Sequence, residues 1–402
     1  MKIKLSTAVA LFSVAAGLLA GALPASAAPP STGNDNLPDV IIGGGSDTTY
    51  LIMQRLDDLY NSAPGCTIIT SGSSADKGKC NGTGQTTPTT GNFDHDVVVE
   101  ATPTGSGGGI NALLGTSPYN PGTDYARSSR GPSGTEGSSL SFYGYAKDSV
   151  AVITFGTRTG ISVTKSQLQA VYRCDANARS WDFLTGNPAD ASSPIRPIGM
   201  NTTSGTYSVF QSTYLGGVTF GACVEGTPFE NDVKPVLATA ATAADAANML
   251  WWISFGDWQT YPYTRDAGFG ASNAGATVKS NLATVDGVLP SNGNTTNGSY
   301  PITRFLYHVT RTADAAPDPA DLATPNVIGA TTGKAGAVRE YTEFLCRASN
   351  TLRSSVAGPA SGNGATGGTG LRTLLTQALN AEGFVQVPST GTDRNFGACH
   401  TA

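Results

Sequence analysis

Charge is scarce in this chain. Only 13% of its 402 residues are charged, and histidine occurs three times. Twenty-four basic residues face 29 acidic ones. The basic face that a nucleic-acid partner requires is therefore missing. No cysteine pair has the close C-x-x-C spacing of zinc sites. No HExxH, no GxSxG elbow and no kinase motif set occurs. Ser74 to Lys77 and Ser162 to Lys165 match S-x-x-K, but the SDN and KTG partners of that chemistry are absent. GATTGK (329–334) is one residue short of a phosphate-binding P-loop. His95, His308 and His400 read as a turn, a structural position and a tail residue. These absences argue against an enzyme, and they imply no cofactor and no metal.

Long apolar runs are also missing, with one exception at the start. Lys2 and Lys4 precede an Ala/Gly-rich apolar stretch from Leu11 to Leu23, which is short for a membrane span. Ala25-Ser26-Ala27 satisfies the small-residue cleavage rule, so residues 1–27 read as a secretory signal. No cysteine stands at the cleavage point to carry a lipid, so the expectation is a secreted, extracellular chain without a membrane anchor. Without Lys2 and Lys4, 22 basic residues face 29 acidic ones, a net charge near −7. About 375 residues follow the cleavage point, enough for two lobes. A small anion is still compatible with this net charge, because a buried site works through local dipoles.

What the chain has in abundance is glycine, 50 of 402 residues against a usual ~7%. It also has six cysteines, which in an exported chain read as three disulfides. Neighbours in sequence are the expected pairs: Cys66 with Cys80, Cys174 with Cys223, and Cys346 with Cys399. Helices are expected over 47–60, 162–174, 241–255, around Val338–Leu345, and over Leu371–Leu379 with Gly383 after it. HDVVVEAT (95–102), AKDSVAVITF (146–155) and YPITRFLYHV (300–309) read as strands. Residues 71–91, 266–300 and 355–370 read as loop. Strands alternate with helices, so the fold class is α/β.

Four segments share one chemistry: GGGSDTTY (43–50), TGSGGGI (104–110), YARSSRGP (125–132) and TTSGTYSVF (202–210). Each joins Ser or Thr to Gly or Arg. Taken singly, each has an ordinary reading as a helix cap, a turn or a polar loop. Together, backbone N–H groups, hydroxyls and a guanidinium can coordinate a dehydrated tetrahedral oxyanion.

The ordered set resembles the substrate-binding protein of phosphate ABC transporters, in the type 2 periplasmic-binding-protein superfamily. The resemblance spans roughly residues 40–310. It implies a two-lobed α/β fold with the ligand cleft between lobes. Lobe 1 would be 35–150 plus 308–402, and lobe 2 would be 151–307. It implies phosphate or a related oxyanion as ligand and an ABC permease as partner, with the protein itself a monomer. Carried residue by residue, the phosphate contacts would be Asp47, Thr48, Ser106, Ser129, Arg130, Ser204, Gly205 and Thr206, with Ser46 as a further hydroxyl. Family members place an Asp where Ser129 stands, to accept the proton of hydrogen phosphate and repel sulfate. Many also carry an Arg beside the SGT turn, where this chain has Met200, Asn201 and Tyr207. Anion charge would then fall to Arg130, with Arg127 and Arg196 as further candidates. Asp47 is expected to supply the missing acceptor; its alternative role is a helix cap. A phosphatase-like protein, or a secreted binding protein without a transport role, could use the same cradle.

Overall fold

A sixteen-residue strand organises the molecule. In the computed structural model, β4 (Leu140–Phe155) pairs with strands at both of its ends. The structure describes residues 40–61, 97–115, 122–134, 136–230, 240, 242–260, 266–268, 277–314, 334–346, 371–388 and 398–402. The expected signal segment, Cys66 and Cys80, His95, and the loops 71–91 and 355–370 lie outside them, as does most of GATTGK.

The N-terminal sheet begins with β1 (Val40–Gly45), β2 (Val97–Glu100) and β3 (Tyr125–Ser128). β1 lies between the other two and is parallel to both. Helix α1 (Tyr50–Asn61) connects β1 towards β2, and α2 (Gly105–Leu113) connects β2 to β3. The order β2-β1-β3 reverses between β1 and β3. In open α/β sheets that reversal opens a crevice at the strand carboxyl ends. β11 (Thr303–Arg311) then lies antiparallel between β3 and β4.

Beyond Ser149, β4 pairs with β7 (Met249–Ser254) and β9 (Thr277–Leu282), both antiparallel. β7 in turn pairs with β6 (Arg196–Pro197). The hydrophobic core divides at the same place. One cluster runs from Val150 to Ile302 and includes Trp181, Trp251, Trp252 and Phe210. A second joins Ile41, Ile52, Leu56 and Tyr125 to Leu306, Tyr341 and Leu379. A third joins Ile110 and Leu113 to Phe142 and Val309.

Two expectations are corrected. Residues 241–255 read as one helix, but only Ala243–Ala246 is helical and Met249–Ser254 is β7. All six residues of β7 are buried. Burial on both faces removes the alternation that marks a strand, and the alanines before it favour a helix. Residues 266–300 read as loop, but they contain β8 (Asp266–Gly268), β9, the short strand β10 (Thr284–Val285) and a helix over Asn292–Asn297. The expected helices near Val338 and Leu371 span Lys334–Leu345 and Leu371–Ala381. Cys174 bonds Cys223, and Cys346 bonds Cys399.

The GSGGGI segment opens a helix rather than a turn. Its glycines are needed for packing: a Cβ on Gly109 would lie 2.5 Å from the Gly44 carbonyl and from the Gly45 Cα. Only a bare backbone lets α2 lie that close to β1.

Candidate functional site

Three carboxyl ends of parallel strands deliver three of the hydroxyl turns to one place. Ser46–Thr49 follow β1, Gly105 opens α2 after β2, and Ser129 follows β3. The fourth segment comes from the other core. Ser204 caps the short helix Gly205–Tyr207, its hydroxyl accepting from the Thr206 and Tyr207 amides at 3.1 and 3.5 Å. A π-helical turn over Ser208–Tyr214 follows.

The four segments touch. Thr48 Oγ1 lies 3.2 Å from Thr206 Oγ1. Ser106 Oγ lies 3.3 Å from Ser129 Oγ and accepts the Ser129 amide at 3.0 Å. A Cβ on Gly205 would sit 2.4 Å from both of those serine oxygens. The Gly107 amide donates to the Thr203 carbonyl at 3.0 Å, and Thr203 Oγ1 donates to the Thr104 carbonyl at 3.0 Å. Thr48, Ser106, Ser129, Gly205 and Thr206 thus form one buried cradle.

The charge in the cradle comes from residues that local sequence reading missed. Arg304 on β11 spends all five of its N–H groups here. Nε and Nη2 donate to Asp148 Oδ2 at 3.0 and 2.7 Å. Nη1 donates to the Ser129 carbonyl at 3.3 Å and to Thr206 Oγ1. Nη2 also reaches Glu230 Oε1 at 3.5 Å. Burial works against this cation, but Asp148 and Glu230 outweigh it and hold its pKa above the ordinary arginine value. Glu230 itself accepts from Thr206 Oγ1 at 2.6 Å, from Thr48 Oγ1, and from the Ser254 amide at 2.7 Å. Asp257 is buried close by. Burial, then Glu230 and Asp148, push its carboxyl well above the usual carboxylate range, against the pull of Arg304.

Asp47 is 3% exposed, and among the described residues neither carboxylate oxygen makes a hydrogen bond of normal geometry. It therefore does not cap α1. Burial, reinforced by Glu230, raises its pKa to about 7; Arg127 and, more weakly, the Gly105 amide pull it down. Among the described residues, the Ser46 hydroxyl is buried without a hydrogen-bond partner as well. Arg130 is turned away from the cradle. It donates to the Gly131 carbonyl at 2.9 Å and to Glu136 Oε1 at 2.6 Å, and it lines an adjacent groove of about 340 Å³. Arg304 lines the same groove, so it is shared by groove and cradle. Arg127, on β3, is fully buried, ion-paired with Glu100 and donating to the Ser46, Gly43 and Ala101 carbonyls. Desolvation lowers its pKa to about 10. Arg196 is held by Glu225 at 2.6 Å and Asp245 at 2.8 Å. His308 is buried with Nε2 3.0 Å from Thr342 Oγ1, and desolvation lowers its pKa to about 3.

The family profile described as a PBP superfamily domain matches residues 38–346. The chain belongs to this family. Among solved structures, it resembles a putative phosphate ABC transporter substrate-binding protein with bound phosphate from Clostridium perfringens, at 16% identity and a TM-score of 0.50. That match covers 87% of this chain and all of the other. An ABC-type phosphate transport receptor from Vibrio cholerae is 19% identical over 75% of this chain and 98% of its own, with a TM-score of 0.44. A human phosphate binding apolipoprotein is 15% identical over 89% and 92%, with a TM-score of 0.48. A search of curated protein sequences gave no match. The expected class is met: this PBP superfamily chain is an α/β protein whose fold is that of the type 2 binding proteins. Among the described residues, no helix is long and apolar enough to cross a membrane and no group of His, Cys, Asp and Glu could hold a metal ion.

Proposed function

We propose that this protein binds a tetrahedral oxyanion, inorganic phosphate in the first instance, outside the cell and delivers it to an ABC permease. The observation that carries this reading is the meeting of Thr48, Ser106 and Ser129 with the Gly205–Thr206 turn around the Arg304 guanidinium. Hydroxyls and a guanidinium in a buried site are the donors that a dehydrated phosphate needs. The bound phosphate of the Clostridium perfringens protein, which shares the fold, supports the same ligand.

In this reading residues 35–150 and 308–402 form one lobe and 151–307 the other, and ligand bridges them by hinge closure. Of the predicted contacts, Thr48, Ser106, Ser129, Gly205 and Thr206 face the anion, with Asp47 and Ser46 beside them and Ser204 shaping the turn. Arg304 takes the role first given to Arg130. No step of this function is catalytic. The protein is exported through residues 1–27 and acts as a monomer.

Calorimetric titration of the oxidised mature chain with phosphate, then sulfate, at fixed salt tests the reading. Heat of phosphate binding that is lost in Thr206→Val supports it. No heat from phosphate at any accessible concentration refutes it.

A further inference from the structure

The cradle already encloses a carboxyl group of the chain's own. Both oxygens of the Glu230 carboxylate are engaged. Oε2 accepts from the Thr48 and Thr206 hydroxyls, and Oε1 accepts from the Ser254 amide and, at 3.5 Å, from Arg304. These donors come from four separate segments: the turn after β1, the SGT turn, the end of β7, and β11. Glu230 is 1% exposed.

An ordinary structural ion pair does not account for this arrangement. The partner of Arg304 is Asp148, which takes two donors at 3.0 and 2.7 Å, while Glu230 lies at the edge of contact. The close bonds of Glu230 go instead to the hydroxyls and the amide. A threonine hydroxyl has one proton to give. While Thr48 and Thr206 give theirs to Glu230, neither can donate to a second anion. Arg304 has no N–H left over either. Like charge adds to the conflict, because Asp148 and Asp257 are buried around the same guanidinium and Asp47 is buried within reach of Glu230.

We propose that Glu230 is the resident anion of the cradle: its carboxylate occupies the place of an external oxyanion, which enters only by displacing it. This rests on the oxyanion reading above and adds an internal competitor to it. Such a competitor reduces apparent affinity by the fraction of molecules in which the cradle is free. It also selects ligands, because an entering anion must satisfy the donors better than a carboxylate does. Phosphate, with more acceptor oxygens, can meet that condition.

The test uses the full oxidised chain as wild type, Glu230→Ala and Glu230→Gln, with inorganic phosphate and acetate as probes. Binding is read by calorimetry and stabilisation by thermal melting. Truncation to Ala opens a carboxylate-sized space, so acetate is expected to raise the Tm of Glu230→Ala and leave the wild type unmoved. Phosphate is expected to bind Glu230→Ala on the order of tenfold or more tightly than the wild type. Equal phosphate affinity in both proteins, with no acetate effect, overturns the inference and leaves the oxyanion reading intact. An acetate effect without phosphate binding to either protein keeps Glu230 in the cradle and refutes phosphate as ligand. No response of Glu230→Ala to either probe overturns both. Should Glu230→Ala fail to fold, Glu230→Gln keeps the shape and removes the charge. Tighter phosphate binding there supports the inference, and unchanged or weaker binding overturns it.

Discussion

Arg304 and Asp148 stand directly opposite each other in the register of β11 and β4, and their side chains close a pair at 2.7 Å. Both are nearly fully buried. The backbone ladder thus fixes the position of the guanidinium that reaches the Thr206 hydroxyl and the Ser129 carbonyl.

Arg304→Met leaves Asp148 and Glu230 buried without their cation. Breaking a buried pair from one side costs about 3–5 kcal/mol. Urea denaturation is expected to show a loss of that size, and phosphate binding is expected to vanish. Arg304→Met with Asp148→Leu is expected to recover part of the stability and none of the binding. Wild-type binding in Arg304→Met would remove Arg304 from the site.

Asp47 gives stability a pH dependence with a definite sign. Its folded pKa of about 7 lies above the ordinary value of 3.8, so between those pH values the folded state holds more protons than the unfolded state. Its contribution falls as pH rises through that window and is flat above it, by up to about 4 kcal/mol. His308 works the other way: its depressed pKa stabilises the fold above about pH 6.5 and loses that effect as pH falls. The difference between wild type and Asp47→Asn isolates Asp47. Urea midpoints from pH 4 to 8 are expected to favour Asp47→Asn increasingly as pH rises. A constant difference would contradict the assignment.

The same carboxyl is expected to set anion choice. Ionised Asp47 can accept the hydrogen of hydrogen phosphate, whereas sulfate has none to offer. Discrimination against sulfate is expected to be strong above pH 7 and to weaken as pH falls through it. Paired phosphate and sulfate titrations at pH 6 and pH 8 measure this. A pH-independent ratio would leave Asp47 without a role in selection.

Gly205→Ala places a methyl 2.4 Å from the Ser106 and Ser129 oxygens and 2.9 Å from the Ser129 carbonyl carbon. The backbone is part of the obstacle, so a rotamer change does not relieve it. Phosphate binding is expected to weaken on the order of tenfold or more, with about 1–3 kcal/mol of stability lost. Calorimetry and denaturation of the one variant report both. Unchanged binding would mean that the SGT turn does not close on the serines.

The two described disulfides each close a loop of about fifty residues, with separations of 49 and 53. Replacing Cys174 and Cys223 by serine is expected to cost about 2–4 kcal/mol, and Cys346 with Cys399 a similar amount. Melting curves of the two double variants check this. No loss in either would mean that the cross-links do not constrain the unfolded chain.

The hydroxyl turns were legible because their chemistry is local. GGGSDTT, GSGGG, SSR and SGT each announce a strand end or a helix start within a few residues. The charged partners were not. Arg304 lies in TRFLYHVTR and Asp148 in AKDSVAVITF, where a charge near the end of an apolar run reads as the wet face of a strand. The available signal was phase: Arg304 alternates with Leu306, His308 and Thr310, all buried. Glu230 and Asp257 stand in segments with no pattern that points inward. Glu230 is placed by partners far from it in sequence, among them Thr48 and Arg304, 182 and 74 residues away. β7 was misread for the opposite reason, since MLWWIS is buried throughout and has no wet face to reveal its period.

β4 has a consequence for how the molecule comes apart. Its first half supplies Phe142, Tyr143, Tyr145 and Ala146 to the cores built on β1 and β11, and its second half supplies Val150 to Phe155 to the other core. None of the three clusters keeps its full set of side chains once this strand is lost. Heat is therefore expected to melt the two halves in one calorimetric transition. The shared strand welds two small stabilities into a single larger one.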